Sequence, residues 1–234
     1  MRLLYEGKSK RIYDVGDGRV FVEFKDDITA FNAEKKASPE GKGRITYEIS
    51  RLLFEYLKSR GIPTHYLEPG EGGFYAKRVR ILPVELVVRN VATGSIVKRL
   101  GVEKGREFSP PLVEYFYKDD ALGDPLVCEG HITYFGWASR EELERMRDIA
   151  LRSTELLKEL FSRAGLRLVD IKYEFGYDDE GNLLLADEIS PDTCRIWDSE
   201  GRSLDKDVFR KGTGDVVKTY EEVLRRLREA LSRE

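Results

Sequence analysis

The segment Leu168–Ile189 constrains the fold more than any other part of the chain. Its first arm alternates: Val169, Ile171, Tyr173 and Phe175 are apolar, while Asp170, Lys172 and Glu174 are charged. A strand sends two such sets to opposite faces. Asp179-Glu180-Gly181-Asn182 offers turn chemistry, and Leu183–Ile189 brings the chain back. Such a segment belongs in an antiparallel sheet with one face on a core and the other carrying charge. A two- or four-residue turn centred on Glu180-Gly181 sets Glu174 directly across from Asp187. Like charges at cross-strand spacing, about 5 Å between Cβ atoms, repel unless a cation or proton sits between them. Two readings follow. The pair holds Mg²⁺ together with substrate phosphates, or the face is solvated and Lys172 balances the acids.

Elsewhere the same signals place other elements. Leu3–Glu6, Lys10–Val15 and Arg19–Lys25 read as strands around Gly7 and the Gly16-Asp17-Gly18 turn. Ile45, Ile49, Leu52, Leu53, Tyr56 and Leu57 recur at helical spacing before Gly61. Thr64–Leu67, Phe74–Val79 and Val84–Val91 read as strands, with turn chemistry and a possible hinge at Glu68–Gly73. Ser139 and Glu142 form a capping box ahead of the stripe Leu143, Met146, Ala150, Leu157, Leu160 and Ala164. Val216, Tyr220, Val223, Leu224, Leu227 and Leu231 mark a last helix. The polar stretch Asp26–Arg44, roughly 19 residues, exceeds an ordinary connection. It is expected to be loosely ordered in the free protein and to close over bound anions, with Gly41 and Gly43 giving freedom beside Lys42.

Composition excludes several classes. Forty Lys plus Arg against 43 Asp plus Glu leave a net charge of -3, not the basic excess of a nucleic-acid binder. No apolar run approaches a bilayer span, and no signal peptide is recognisable, so no membrane partner is expected. Cys128 and Cys194 are the only cysteines, too few for a disulfide framework or a zinc site. A reducing, cytoplasmic home is expected.

Three stations carry chemistry. Tyr5-Glu6-Gly7-Lys8-Ser9-Lys10 puts two lysines on one side of a strand beside a glycine, as a cover for phosphates or as a solvated turn. Arg89 and Ser95, at the end of the strand Val84–Val91, could offer a guanidinium fork and a hydroxyl to a phosphate. Ser190–Arg195 adds Asp192 and a second arginine, with Cys194 a bystander.

In this order, with Phe24-Lys25-Asp26-Asp27, Gly41-Lys42-Gly43, Gly61-Ile62-Pro63-Thr64-His65, Val87-Val88-Arg89-Asn90, Ser109-Pro110-Pro111, Asp170–Gly176 and Ala186–Asp192, these motifs resemble the phosphoribosylaminoimidazole-succinocarboxamide (SAICAR) synthase family over nearly the whole chain. The resemblance implies an α+β, two-lobed, ATP-grasp-like fold with nucleotide in the interlobe cleft. Residues 1–80 would form a β-rich lobe with one helix, and 81–234 an α+β lobe carrying the metal and substrate sites. The implied activity is the ATP-dependent condensation of carboxyaminoimidazole ribonucleotide (CAIR) with L-aspartate. By the same resemblance Lys8, Lys10 and Lys118 face ATP. The hinge Ala76–Ile81, including Lys77, Arg78 and Ile81, holds adenine, chiefly through its backbone. Glu174 and Asp187 hold Mg²⁺ at the ATP phosphates, Arg89, Ser95 and Arg195 bind CAIR, and Asp170, Lys172 and Asp192 act in catalysis. A homo-oligomer, by preference a dimer, is expected. Many members place asparagine where this chain has Thr46, so that position is expected to touch substrate or to cap the following helix.

Overall fold

The longest alternating patterns become the longest strands. In the computed structural model, which describes residues 1–233, the first sheet contains β1 (Arg2–Glu6), β2 (Lys10–Gly16), β3 (Arg19–Phe24), β6 (Tyr66–Gly70) and β7 (Gly73–Lys77). Its order is β1-β2-β3-β7-β6. Between β3 and β6 lie a small hairpin, β4 (Ile28–Ala30) with β5 (Lys35–Ala37), and the helix α1 (Lys42–Ser59). Glu68–Gly73 is not a hinge. It is the β6–β7 turn, closed by pairing of Gly70 with Gly73.

Two residues, Arg78 and Val79, connect β7 to β8 (Arg80–Val91) in the second sheet. That sheet runs β10 (Leu126–Val127), β9 (Glu107–Tyr117), β8, β11 (Leu166–Tyr177), β12 (Leu183–Ala186). A sixth strand, β13 (Cys194–Asp198), takes over from β12 along the first half of β11. All of these pairings are antiparallel.

The apolar face of the second sheet is covered by α4 (Arg140–Arg163), which packs on β11 and β8. The predicted capping box starts this helix: the Ser139 hydroxyl accepts from Glu142 N, and the Glu142 carboxylate accepts from Ser139 N. The α1 stripe, with Ile45, Ile49, Leu53, Phe54 and Leu57 wholly buried, lies against the first sheet and against α6 (Val216–Leu231). One apolar cluster therefore runs through both sheets. Each such side chain contributes about 1.5–3 kcal/mol relative to exposure.

The 168–189 hairpin forms, but one register step away from the expected one. Glu174 pairs with Ala186, not Asp187, and the last rung is Tyr177 with Leu183. The turn thus holds residues 178–182, an odd number, because the Asp178 side chain organises it. Its carboxylate accepts from Glu180 N at 3.0 Å, Asn182 N at 2.8 Å and Asn182 Nδ2 at 3.0 Å, while Gly181 takes φ +81°. Had β12 continued one residue, Asp187 would face the apolar side with Tyr173. Instead Asp187 turns left-handed, φ +61°, and leaves the strand.

Replacing Asp178 by alanine strands those donors and should cost about 1–3 kcal/mol in urea unfolding. Its hydrogen bonds from Asn182 hold the Asp178 carboxyl down to about 2. The stabilisation is therefore present above the ordinary value of 3.8 and is lost as pH falls through about 2. An unchanged unfolding midpoint would show that the turn forms without the carboxylate.

Candidate active site

Where the first sheet meets the end of β12, buried lysines and carboxylates interleave. Lys10, on β2, sits 2.8 Å from Asp187 and 2.6 Å from Glu188. Burial alone would lower the Lys10 pKa, but the two carboxylates outweigh it and hold the ammonium above its usual range. Burial would likewise raise Asp187, yet Lys10 and Lys172 hold its carboxyl well below the usual carboxylate value. Glu174 is paired with Lys118 at 2.8 Å and Lys172 at 3.5 Å.

On its other flank β11 sets Glu174 opposite Glu85 of β8, and Lys172 reaches Glu85 at 3.2 Å. Burial and the Glu174 charge push Glu85 up to about 7, against the pull of Lys172. The like-charge repulsion anticipated between Glu174 and Asp187 thus falls between Glu174 and Glu85, and Lys172 lies between the two carboxylates. Lys172 still feels Glu174, Glu85 and Asp187 together. Burial would lower its pKa, but these three hold it well above the ordinary value. Glu85 was missed in sequence, although alternation along β8 puts it on one face with Val87 and Arg89.

A second station lies farther along β8 and β11. Arg89, 3% exposed, donates through Nε to Glu114 at 2.9 Å, through Nη1 to Asp170 at 3.3 Å and through Nη2 to Ser95 Oγ at 3.2 Å. Arg195 donates to the same Asp170 at 3.0 Å and to Asp207 at 3.1 Å. Gly94 takes φ +68°, ψ −136°, a conformation that favours glycine, where the Arg195 guanidinium passes within 2.7 Å of the position a Cβ would take. Arg99, not foreseen, donates to Ser95 Oγ at 2.6 Å and to Glu114 at 2.5 Å. Its signal was the four-residue step from Ser95, one turn of the helix α2 (Ser95–Leu100). Arg89, Ser95 and Arg195 therefore come together as expected, with Asp170 between the arginines.

The two ends of the polar stretch expected to be loose are tied together. Gly41 N and Gly43 N donate to the two oxygens of Asp26, and α1 begins at Lys42. Gly43 is a glycine for close approach: a Cβ would meet Phe24 O at 2.7 Å. Lys42, 1% exposed, binds Asp192, whose other oxygen accepts from Tyr220 at 2.7 Å. Burial would raise the Asp192 carboxyl, but Lys42 and its neighbours hold it below its ordinary value. Lys206, also unforeseen, stands beside this network. Burial, with Arg210 and Lys42, pushes it down to about 8 against Asp192. Thr46 donates to Lys42 O and Gly43 O from a fully buried position, so its hydroxyl is used inside the first turn of α1. It caps no helix end and faces no site.

Toward the β7–β8 connection, Ala76 is buried, Lys77 pairs with Asp178, Arg78 with Asp179, and Ile81 sits opposite Gly176. The Lys77 and Arg78 side chains are thus engaged in ion pairs, and their backbone N–H groups donate to His65 O at 2.8 Å and Gly18 O at 2.7 Å. Lys8 pairs at 2.9 Å with Asp120, an exposed contact between the β1–β2 turn and the segment that follows β9.

No group of three or more acidic, His or Cys side chains poised to enclose an ion exists among the described residues. Glu174 and Asp187 offer two hard oxygen donors, the number Mg²⁺ takes from protein when phosphates and waters complete its shell. In donor chemistry the pair fits.

A mixed α/β protein that gathers fixed guanidiniums, buried lysines and ionised carboxylates along one strand is built to handle anionic, phosphate-bearing substrates. The SAICAR synthetase family model matches residues 3–227. A phosphoribosylaminoimidazole-succinocarboxamide synthase of Synechococcus sp. is 50% identical, over 98% of this chain and 95% of that protein. The crystal structure of the Ehrlichia chaffeensis synthase superposes with TM-score 0.93 at 42% identity, covering 97% of this chain and 98% of its own. A SAICAR synthetase solved in complex with ADP gives TM-score 0.93 at 43% identity, covering 97% of each chain. The chain belongs to the SAICAR synthetase family.

The raised pKa of Glu85 sets a pH signature for the protein without substrates. Below its ordinary 4.5 the group is protonated folded or unfolded, and between 4.5 and about 7 only the folded state keeps the proton. That stabilisation is full at low pH and disappears as pH rises through about 7. Wild type should therefore lose stability relative to Glu85→Gln across this window in urea titrations. Curves that stay parallel from pH 4 to 8 would place the proton elsewhere.

Proposed function

We propose that this site joins the CAIR carboxylate to the amine of L-aspartate at the expense of ATP, in a cleft between an N-terminal lobe, 1–80, and a C-terminal lobe, 81–234, arranged as in ATP-grasp enzymes. The observation that carries the reading is the single charged face of β11. Asp170 ties together the arginine station, and Glu174, four residues on, lies among the lysines. Four strand residues span roughly 13 Å, a length on the scale of a ribonucleotide stretched from its phosphate to its base carboxylate.

CAIR accordingly lies along β11, its phosphate on Arg89, Ser95 and Arg195 and its carboxylate toward Lys172. ATP lies with its adenine on the backbone of Ala76–Ile81 and its phosphates facing Lys8, Lys10 and Lys118. Glu174 and Asp187 would hold Mg²⁺, which when bound supplies charge neutralisation on the phosphates. A carboxylate resists attack by an amine, so one CAIR carboxylate oxygen displaces ADP from the γ-phosphorus to give an acyl phosphate. The aspartate nitrogen then attacks the acyl carbon, phosphate leaves, and the amide forms with loss of a proton. Lys172, kept charged by its three carboxylate neighbours, stabilises negative charge and does not act as a base. Asp170 orients the two arginines. Asp192, held low by Lys42, accepts a proton poorly, whereas Lys206 near 8 is matched to that task. Two free cysteines and the purine-synthesis chemistry fit a cytosolic enzyme.

Release of ADP only when ATP, CAIR and aspartate are all present tests the reaction. Glu174→Gln and Asp187→Asn should each remove turnover while the protein stays folded. Arg89→Ala would leave Glu114 to Arg99 alone and Asp170 to Arg195 alone and open a void at a buried position, so Arg89→Lys and Arg195→Lys are the informative variants. Each keeps the charge but loses the fork, and should weaken CAIR binding by about 1.5–3 kcal/mol with ADP affinity unchanged. An equal loss for ADP in calorimetric titrations would show that the cleft is divided differently.

A further inference from the structure

The short crossing Pro63–His65 ties the two sheets together. Leu185 N donates to Pro63 O at 2.9 Å, His65 N donates to Leu185 O at 2.9 Å, and Lys77 N donates to His65 O at 2.8 Å. The His65 ring is 5% exposed and wedged against Phe54 and Phe74, with centroids 5.2 and 5.6 Å away. Its Nε2 lies 3.1 Å from the carbonyl oxygen of Asp187. A carbonyl only accepts, so Nε2 must carry the proton. Burial holds His65 down to about 4, so the ring is neutral and Nδ1 is bare near pH 7.

The residue so gripped is the one whose backbone is unusual. Asp187 adopts φ +61°, a region that side-chain-bearing residues enter rarely, and this turn keeps it from facing Tyr173. Its carboxylate is restrained by Lys10, but Lys10 is shared with Glu188. Under the proposed reading Lys10 also turns to phosphate when nucleotide binds, and the side-chain restraint is then released. The hydrogen bond from His65 acts on the backbone and persists.

We propose that His65 is a positioning residue for the nucleotide site: its Nε2–H fixes the left-handed turn at Asp187 and so aims the carboxylate at the cation that accompanies the nucleotide. This rests on Asp187 being a ligand in the proposed function. His65 itself touches no reacting atom, because its ring faces the backbone side of Asp187 and is enclosed by Phe54 and Phe74.

The test is ADP binding by calorimetry across a magnesium titration, for wild type, His65→Phe, His65→Gln, His65→Asn and Asp187→Asn. Phenylalanine keeps the ring packing without the donor, glutamine places an N–H near Nε2, and asparagine is too short to reach. The magnesium concentration for half-maximal ADP affinity should rise roughly tenfold or more in His65→Phe and His65→Asn, as for loss of other outer-shell partners. Glutamine should restore most of it. CAIR affinity and magnesium-free ADP affinity should not move, which a general loss of packing would not spare. Wild-type magnesium dependence in His65→Phe and His65→Asn, with Asp187→Asn impaired, overturns the positioning role alone. An unimpaired Asp187→Asn overturns it together with the assignment of Asp187. Should His65→Phe fail to fold, nitrogen NMR of wild-type His65 decides: the Nε2–H tautomer is required, and Nδ1–H refutes the contact.

Discussion

Burial of charge on an inner strand, one face of which packs on the core, governs this structure. β11 places Asp170, Lys172 and Glu174 on one side while its other side enters the apolar core. An isolated ion there would cost several kcal/mol, so each must find a partner or a proton. The partners come from distant parts of the chain: Arg89 and Glu85 from β8, Arg195 from β13, and Lys118 from the end of β9. The strand order that brings β8 and β13 to the flanks of β11 thereby satisfies the hydrophobic face and the charged face at once. A sheet of different order would strand one or the other.

Much of this was legible because it follows short-range rules. Alternation located β8 and β11, the Ser139–Glu142 pair located the start of α4, and helical stripes located α1 and α6. The arginine station was legible as residue types at strand ends. What escaped depends on side chains acting on backbone at a distance. The hairpin register turned on whether Asp178 would cap the turn, and a turn one residue longer changes which face every following residue takes. His65 stood in the sequence only as the end of the Gly61–His65 motif, with no sign of its partner, a carbonyl oxygen more than a hundred residues away. Glu85 was visible as part of an alternation but not as an opponent of Glu174, because cross-strand neighbours are fixed by topology and not by spacing.

The polar stretch after β3 shows a different limit. Its glycines and lysines read as freedom and solvation, yet Asp26 binds the backbone of Gly41 and Gly43, and Lys42 is buried against Asp192. At the ends of the stretch polar composition reports internal pairing, and Gly43 is small because the chain crosses it.

The ligand-free protein is thus already ion-paired throughout the site, and this shapes how substrates can bind. A phosphate group that recruits Lys10 or Lys118 must take it from Asp187, Glu188 or Glu174. Those carboxylates would then be left buried without a counter-charge, a state that low surrounding polarity makes costly. Phosphate alone is therefore a poor ligand for such a site, as is a bare cation that would have to displace an ammonium without giving it another anion. Under the proposed function, a nucleotide arriving with its cation would exchange both partners at once, phosphate for the lysines and metal for the carboxylates, and leave no charge unmatched. In that reading the interleaving of lysines with acids selects for the paired ligand, and it requires that Asp187 keep its direction while its ammonium partner changes, the restraint proposed for His65.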